Sequence, residues 1–428
     1  MASPSAFTLS AEKIDRIRNI IDASTSDPET QLPSCVGVLV DRNGDVVYSH
    51  ASGFKDLSTK EPMTLETLHW YASCTKLVTT TACMQLVERG VLDLDDEDLA
   101  ERVCPELQNL KVLDGFDESG KPILVEKQNK ITMRMLLTHT AGFSYVSFSE
   151  PIRKALPERY NEIEGPIESM CIPLLFQPGT GWNYGINTDF VGFIVERLSG
   201  LRLEDYFQRN IFQPLGITDN TMFPQGEQLE RIGTLHLRNP VDGKVIPIPH
   251  LYGRHLESTD SQCHGGTSTF GLPAQYMKLL AALLNNGKSP KTGQQILNPH
   301  TVDLMFTAQT PQFTKGGVKG QKGGLPFVIN DSEQLCMPGR QSKTQGWSFA
   351  GMVEDDHENR EPNRVAMNDE TTLPCGENTV WWAGVPNLYW WIDRETGVAG
   401  IVGTHMMPWL DPKALNTWKE VLEVVYSS

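Results

Sequence analysis

The two ends of this 428-residue chain mirror each other, and that symmetry restricts the possible folds more than any other feature. Near the start, Ile14, Ile17, Ile20 and Ile21 share one face of a helix that begins near Ser10. Two strands follow, Cys35 to Val40 and Val46 to Tyr48, and the Asn43-Gly44 pair between them is a hairpin signal. Near the end the order reverses. Strands at Asn387 to Ile392 and Val398 to Met406 are joined by a turn at Asp393 to Gly397. A closing helix then starts with Asp411 as N-cap and Pro412 as its first residue, and carries a buried stripe of Leu415, Trp418, Leu422 and Val425. Helical apolar spacing dominates the middle, at Ile131 to Leu137, Thr188 to Leu198 and Gln275 to Leu284.

This pattern predicts an α/β (α+β) fold: an antiparallel sheet built from both chain ends, flanked by helices, with a large, mainly helical insertion. The corresponding division is a discontinuous α/β domain of residues 1–97 and 330–428 and a mainly helical domain of residues 98–329. Thr307 to Gln345 and Glu354 to Asn378 lack periodicity and read as surface excursions, either lids or insertions.

Charge and cysteine usage exclude several function classes. The chain carries 37 Lys and Arg against 53 Asp and Glu, a net charge of −16, so it lacks the basic surface that nucleic acid or an anionic membrane requires. Its longest apolar run, Leu279 to Leu284, is far short of the roughly 20 residues that span a bilayer. Met1 to Leu9 has no basic segment leading into an apolar one, so no secretory signal is expected. The eight cysteines are scattered, with no C-x-x-C pair and no Cys/His zinc spacing. Reduced thiols in a cytoplasmic protein without metal or cofactor are the expectation.

Chemistry concentrates in three segments. In Tyr71-Ala72-Ser73-Cys74-Thr75-Lys76, Ser73 and Lys76 are three residues apart at a helix start, so their side chains share a face. A serine hydroxyl attacks only when a base takes its proton, and a neighbouring lysine can supply or tune that base. In Pro178 to Phe190, a Gly-rich loop leading into a helix, Tyr184 is placed to project into a cleft; a nearby ammonium would favour its phenolate and make it a base. In Trp381-Trp382-Ala383-Gly384-Val385, a glycine at a strand start admits a substrate close to the backbone, and an exposed N–H there could join that of Ser73 as an oxyanion hole. His139 reads as a structural hydrogen-bonding residue and Cys74 as a core thiol. Trp409, at a strand end, is a candidate pocket residue.

The ordered set Ser73-x-x-Lys76, Leu136-Leu137-Thr138-His139-Thr140-Ala141-Gly142, Pro178-Gly179-Thr180 with Tyr184, and Trp382-Ala383-Gly384 resembles the serine β-lactamase and penicillin-binding-protein superfamily. Within it the likeness is to class C-like esterases and transferases, closest to fungal polyketide acyltransferases of the lovastatin transesterase type. It extends from about Pro33 to Trp409. The resemblance implies a β-lactamase-like fold with the active site in the cleft between the two domains. It implies catalytic Ser73, Lys76 and Tyr184, an oxyanion hole from the backbone of Ser73 and Val385, and substrate contacts from Trp382, Gly384, Trp409, Tyr145 and Trp70.

The implied reaction is transfer of an acyl group from a thioester or ester through acyl-Ser73 to an alcohol on a small natural-product-like molecule. The donor would be carried on an acyl carrier protein or coenzyme A. Hydrolysis of the same esters is the alternative, and a catalytically silent binding relative or a β-lactamase/DD-peptidase stands further off. Two departures bear on substrate. The strand motif has Trp382 where the β-lactamases have lysine, which removes the cation for a β-lactam carboxylate, and Lys291-Thr292-Gly293 reads as a decoy in a turn. Trp70 stands where the lovastatin enzyme has arginine, which disfavours a free-acid acceptor of that kind.

Overall fold

A computed structural model of the protein describes residues 7–156, 165–310, 325, 327–330, 345–354, 375–376 and 379–427. Most of the two patternless stretches, 307–345 and 354–378, lies outside the described residues.

Both chain ends build one sheet. Helix α1 (Ala11–Ser24) is capped by Ser10, whose hydroxyl accepts the Lys13 N–H at 3.2 Å, and it buries Ile17 and Ile21 completely. The hairpin of β1 (Ser34–Asp41) and β2 (Val46–Asp56) closes where the Asp41 carboxylate accepts the N–H groups of Asn43 and Asp45. Strand β2 continues well past the expected Tyr48, because its outer half alternates polar, half-exposed residues that carry no apolar signal. It then pairs with the short β3 (Glu61–Pro62). From the C-terminal half come β4 (Gln345–Trp347), β5 (Met352–Glu354), β6 (Val380–Gly384), β7 (Leu388–Asp393) and β8 (Val398–Gly403). The eight strands lie in the order β4-β5-β6-β7-β8-β1-β2-β3, with antiparallel neighbours throughout. Pairing of β8 with β1, Val36 opposite Gly403, joins the two ends of the chain.

The sequence extends β8 to Met406, but the strand stops at Gly403. Asn387 donates from its side chain to the carbonyls of Met406 and Pro408, at 2.8 and 2.7 Å, and this draws the chain out of the sheet. Met406–Met407 instead pairs in parallel with His236–Arg238, which also pairs with Val245–Pro247 in a three-stranded sheet.

Helices cover both sheet faces, which explains why β1, β6, β7 and β8 are apolar without alternation. Gly37 points at α1, where an added Cβ would come within 2.8 Å of Ile21. Val36, Val38 and Val40 point the opposite way and are also buried. Helix α4 (Pro273–Leu284), from the middle of the chain, packs on β1 and β8. The closing helix α5 (Pro412–Tyr426) packs beside α1 and on β8. Its cap is Asp411, which accepts the N–H groups of Lys413 and Ala414 and is held by Arg238 at 2.5 Å. Of its expected stripe, Trp418, Leu422 and Val425 are buried and Leu415 is half-buried. In the helical part, α2 (Thr75–Glu88) packs against α3 (Asn187–Ser199). No helix among the described residues is long and apolar enough to cross a membrane.

Trp418 fastens α5 to the sheet. Its ring stacks on Tyr389 at 4.5 Å and lies 5.3 Å from Trp381. Trp418→Ala is therefore expected to destabilise the protein by about 3–5 kcal/mol, the usual cost of deleting a buried tryptophan. Urea unfolding measures it, and a midpoint equal to wild type would remove α5 from the core.

Candidate active site

Ser73 is presented by a tight turn held from several directions. The turn is a single 3-10 segment, Ala72–Cys74, which runs directly into α2. Ala72 has a left-handed backbone, φ 44°, a conformation that costs a non-glycine residue of the order of 1–3 kcal/mol. Neighbours impose it. The Tyr71 N–H donates to the Thr269 carbonyl at 2.9 Å, the Tyr276 hydroxyl donates to the Cys74 carbonyl at 2.9 Å, and the Thr269 N–H donates to the Thr75 hydroxyl at 3.0 Å. The end of β6 presses on the same turn: a Cβ on Gly384 would overlap the Tyr71 carbonyl. Glycine is required there for close approach, and Val385 follows it, half-buried.

Lys76 lies one helical turn after Ser73 and is only 5% exposed. Its Nζ is 3.2 Å from Ser73 Oγ, 2.8 Å from Tyr145 Oη and 3.0 Å from the Gly266 carbonyl, and it sits 4.8 Å from the centre of the Tyr184 ring. Burial disfavours the ammonium and brings Lys76 down to about 7, although the Asp189 carboxylate opposes this. The Gly266 carbonyl can only accept a hydrogen bond, whereas the Ser73 hydroxyl can also donate. A neutral Lys76 therefore gives its protons to Gly266 and Tyr145 and receives that of Ser73.

Tyr184 joins from the loop before α3. Its hydroxyl accepts the Trp382 indole N–H at 3.0 Å, and the Lys76 amine sits over its ring. Here the structure departs from the expected electrostatics. Burial raises the Tyr184 phenol well above its ordinary range, and the nearby Ser73 and Trp382 side chains only partly offset that. The side chain is held as a phenol, and Lys76 is the group poised to take a proton near neutrality.

Other residues that the sequence singled out fall as follows. Tyr145 faces Lys76. Trp409 stacks on Phe148 at 5.7 Å and meets Trp382 at 5.6 Å, and Phe148, Trp382 and Trp347 in turn pack against Tyr184. Trp70 donates its indole N–H to the Thr267 carbonyl at 2.7 Å and packs with Tyr252, Phe270 and Met407. His139 accepts from the Asn187 side chain at 2.9 Å and from the Gly185 N–H at 3.3 Å, with its ring 4.6 Å from Tyr184. Burial, helped by the nearby Lys76, holds His139 well below the usual range, so it is a neutral prop for the tyrosine loop. Cys74 is buried with its thiol on the Leu388 carbonyl. Lys291 pairs with Asp45 at the β1–β2 turn, and Thr292 bonds to the Pro214 carbonyl.

Asp189 escaped the sequence reading. It is 1% exposed on α3, accepts the Gly266 N–H at 2.8 Å, and is pushed up to about 6 by burial, with the Lys76 charge working against that. It thereby holds, through its N–H, the residue whose carbonyl receives Lys76. The available signal was an acid in the otherwise apolar run Asp189 to Val195. Among the described residues, no group of three or more His, Cys, Asp or Glu side chains could hold a metal ion.

Known proteins resemble the chain over most of its length. The monacolin J acid methylbutanoyltransferase of Aspergillus terreus is 32% identical over 407 residues, 93% of this chain and 92% of its own. The lovastatin esterase of Penicillium rubens is 32% identical over 371 residues, 84% of this chain and 86% of its own. Unliganded simvastatin synthase from Aspergillus terreus superposes with a TM-score of 0.76 at 28% identity, covering 97% of this chain and 98% of that one. The Beta-lactamase family model matches residues 26–423, and the chain belongs to that family.

Proposed function

We propose that the protein is a serine acyltransferase working by a two-step, ping-pong mechanism. The observation that carries this reading is the contact of Ser73 with a buried Lys76 beside a phenolic Tyr184. In the first step Ser73 Oγ attacks the carbonyl of a thioester or ester while Lys76 takes the hydroxyl proton. The N–H groups of Ser73 and Val385 stabilise the oxyanion, each such donor being worth about 3 kcal/mol in comparable sites. Collapse expels the thiolate or alkoxide, which takes a proton delivered from Lys76 through Tyr184, and acyl-Ser73 remains. In the second step an alcohol gives its proton back along the same path and attacks acyl-Ser73, releasing the new ester and the serine hydroxyl.

The aromatic surround of Tyr184 and the absence of a strand lysine suit an apolar small-molecule acceptor rather than a β-lactam. Two relatives are named for transfer to, or hydrolysis of, molecules of that kind. A donor carried on an acyl carrier protein or coenzyme A completes the proposal. The esterase relative makes hydrolysis the second reading: the same acyl-enzyme then reacts with water.

Three outcomes are expected. Intact-protein mass spectrometry after mixing with a short acyl thioester should show one acyl adduct on the wild type and none on Ser73→Ala. The adduct should persist in water and clear when an alcohol acceptor is added; equal clearance in water alone would make the protein an esterase. Because Lys76 must be neutral to act, kcat/KM should rise with pH through about 7, and Lys76→Ala should lose 10²- to 10⁴-fold. A profile flat from pH 5 to 8 would refute the neutral lysine. Finally, Gly384→Ala should lose at least tenfold in kcat/KM with an unchanged circular dichroism spectrum, since its methyl group displaces the Tyr71 carbonyl; wild-type activity would separate β6 from the site.

A further inference from the structure

Four of the ten histidines gather beside the nucleophile turn and take no part in the chemistry above. His69, His236 and His405 are at most 1% exposed. The His405 ring lies 5.8 Å from that of His69 and 5.9 Å from that of His250, and its carbonyl accepts the His236 N–H at 3.0 Å. His405 Nε2 accepts the backbone N–H of Trp70 at 3.4 Å. The ring proton is therefore on Nδ1, which lies against Gly233: an added Cβ there would come within 2.9 Å.

The position connects two parts of the site. Trp70 leads directly into Tyr71, the left-handed Ala72 and Ser73, and His405 leads into Met406, Met407, Pro408 and Trp409 of the aromatic surround. We propose that His405 is a positioning residue, whose neutral imidazole anchors the strained turn that presents Ser73 and whose protonation at Nε2 releases that turn. Protonation converts an acceptor into a donor and leaves two N–H groups facing each other. Acid thus disables the site by a route separate from protonation of Lys76.

The titratable groups facing the cluster are His69, from the strand His69–Trp70; His236, from its own strand; His250, from the segment after Val245–Pro247; and Asp56, at the end of β2. Asp56 favours a charged His236, but it is already engaged by the N–H groups of Ser58 and Thr59 and the Thr234 hydroxyl. Burial and the neighbouring imidazoles hold His405 well below the ordinary histidine range, and burial brings His69 down to about 4. Folded-state values below the unfolded value of about 6.5 mean that stability is complete above that pH and is lost as pH falls.

The kinetic part of this proposal rests on Ser73 being the nucleophile; the acid titration of the fold does not. With p-nitrophenyl acetate as acyl donor and a short-chain alcohol as acceptor, wild-type kcat/KM should fall tenfold per pH unit below 7, from Lys76, and about a hundredfold per unit once His405 titrates. His405→Gln keeps an acceptor without a titrating ring, so its limb should stay tenfold per unit and its acid unfolding midpoint, read by tryptophan fluorescence, should move at least half a unit lower. An unchanged steep limb and midpoint would overturn the proposal. Gly233→Ala, which pushes the ring off Trp70, should lower kcat severalfold with KM held; full kcat would also overturn it. If the wild type neither releases p-nitrophenolate nor forms an acyl adduct, the functional reading fails while the fluorescence midpoints still decide the role of His405.

Discussion

A lysine amine buried without water needs fixed oxygens around it, and the arrangement of this active site follows from meeting that need at Lys76. One, Ser73 Oγ, is a helical turn away, and two come from distant parts of the chain, Tyr145 Oη and the Gly266 carbonyl. The last belongs to a residue whose N–H is held by Asp189, on α3. Removing a charge from water is costly unless it is compensated, and the compensation here is partial. The consequence is a lysine close to neutrality, as the proposed role of Ser73 as nucleophile requires.

The sheet supplies the second requirement, rigidity at the Ser73 turn. A left-handed alanine persists only where the surroundings over-determine it. Gly384, Thr269, Tyr276 and His405 do so by closing on residues 70–75 from separate elements. Strand β6 therefore has two tasks. Its backbone at 384 braces the turn, and its Trp382 indole N–H binds Tyr184. A lysine at 382 could donate a hydrogen bond there but would bring a charge into the aromatic surround.

The aromatic residues show how packing and chemistry share the same side chains. Trp382 and Trp409 contribute to the core cluster and also enclose Tyr184 or touch its neighbours. Burial among these rings raises its pKa, so the packing that encloses Tyr184 also holds it as a phenol.

Local sequence determined the elements whose causes are local. Ser10 and Asp411 are helix caps because their side chains reach N–H groups two or three residues away, and the Asn43-Gly44 turn closes through Asp41. Ser73 and Lys76 were legible for the same reason, since helical spacing alone brings them together. Strand ends were less so: β8 ends at Gly403 through Asn387, and β2 continues to Asp56 without an apolar signal. Asp189, the raised pKa of Tyr184 and the contact of His405 with Trp70 were decided by tertiary structure alone. Each depends on burial and on partners far away in sequence, and neither desolvation nor a contact between residues 70 and 405 leaves a periodic trace in the chain.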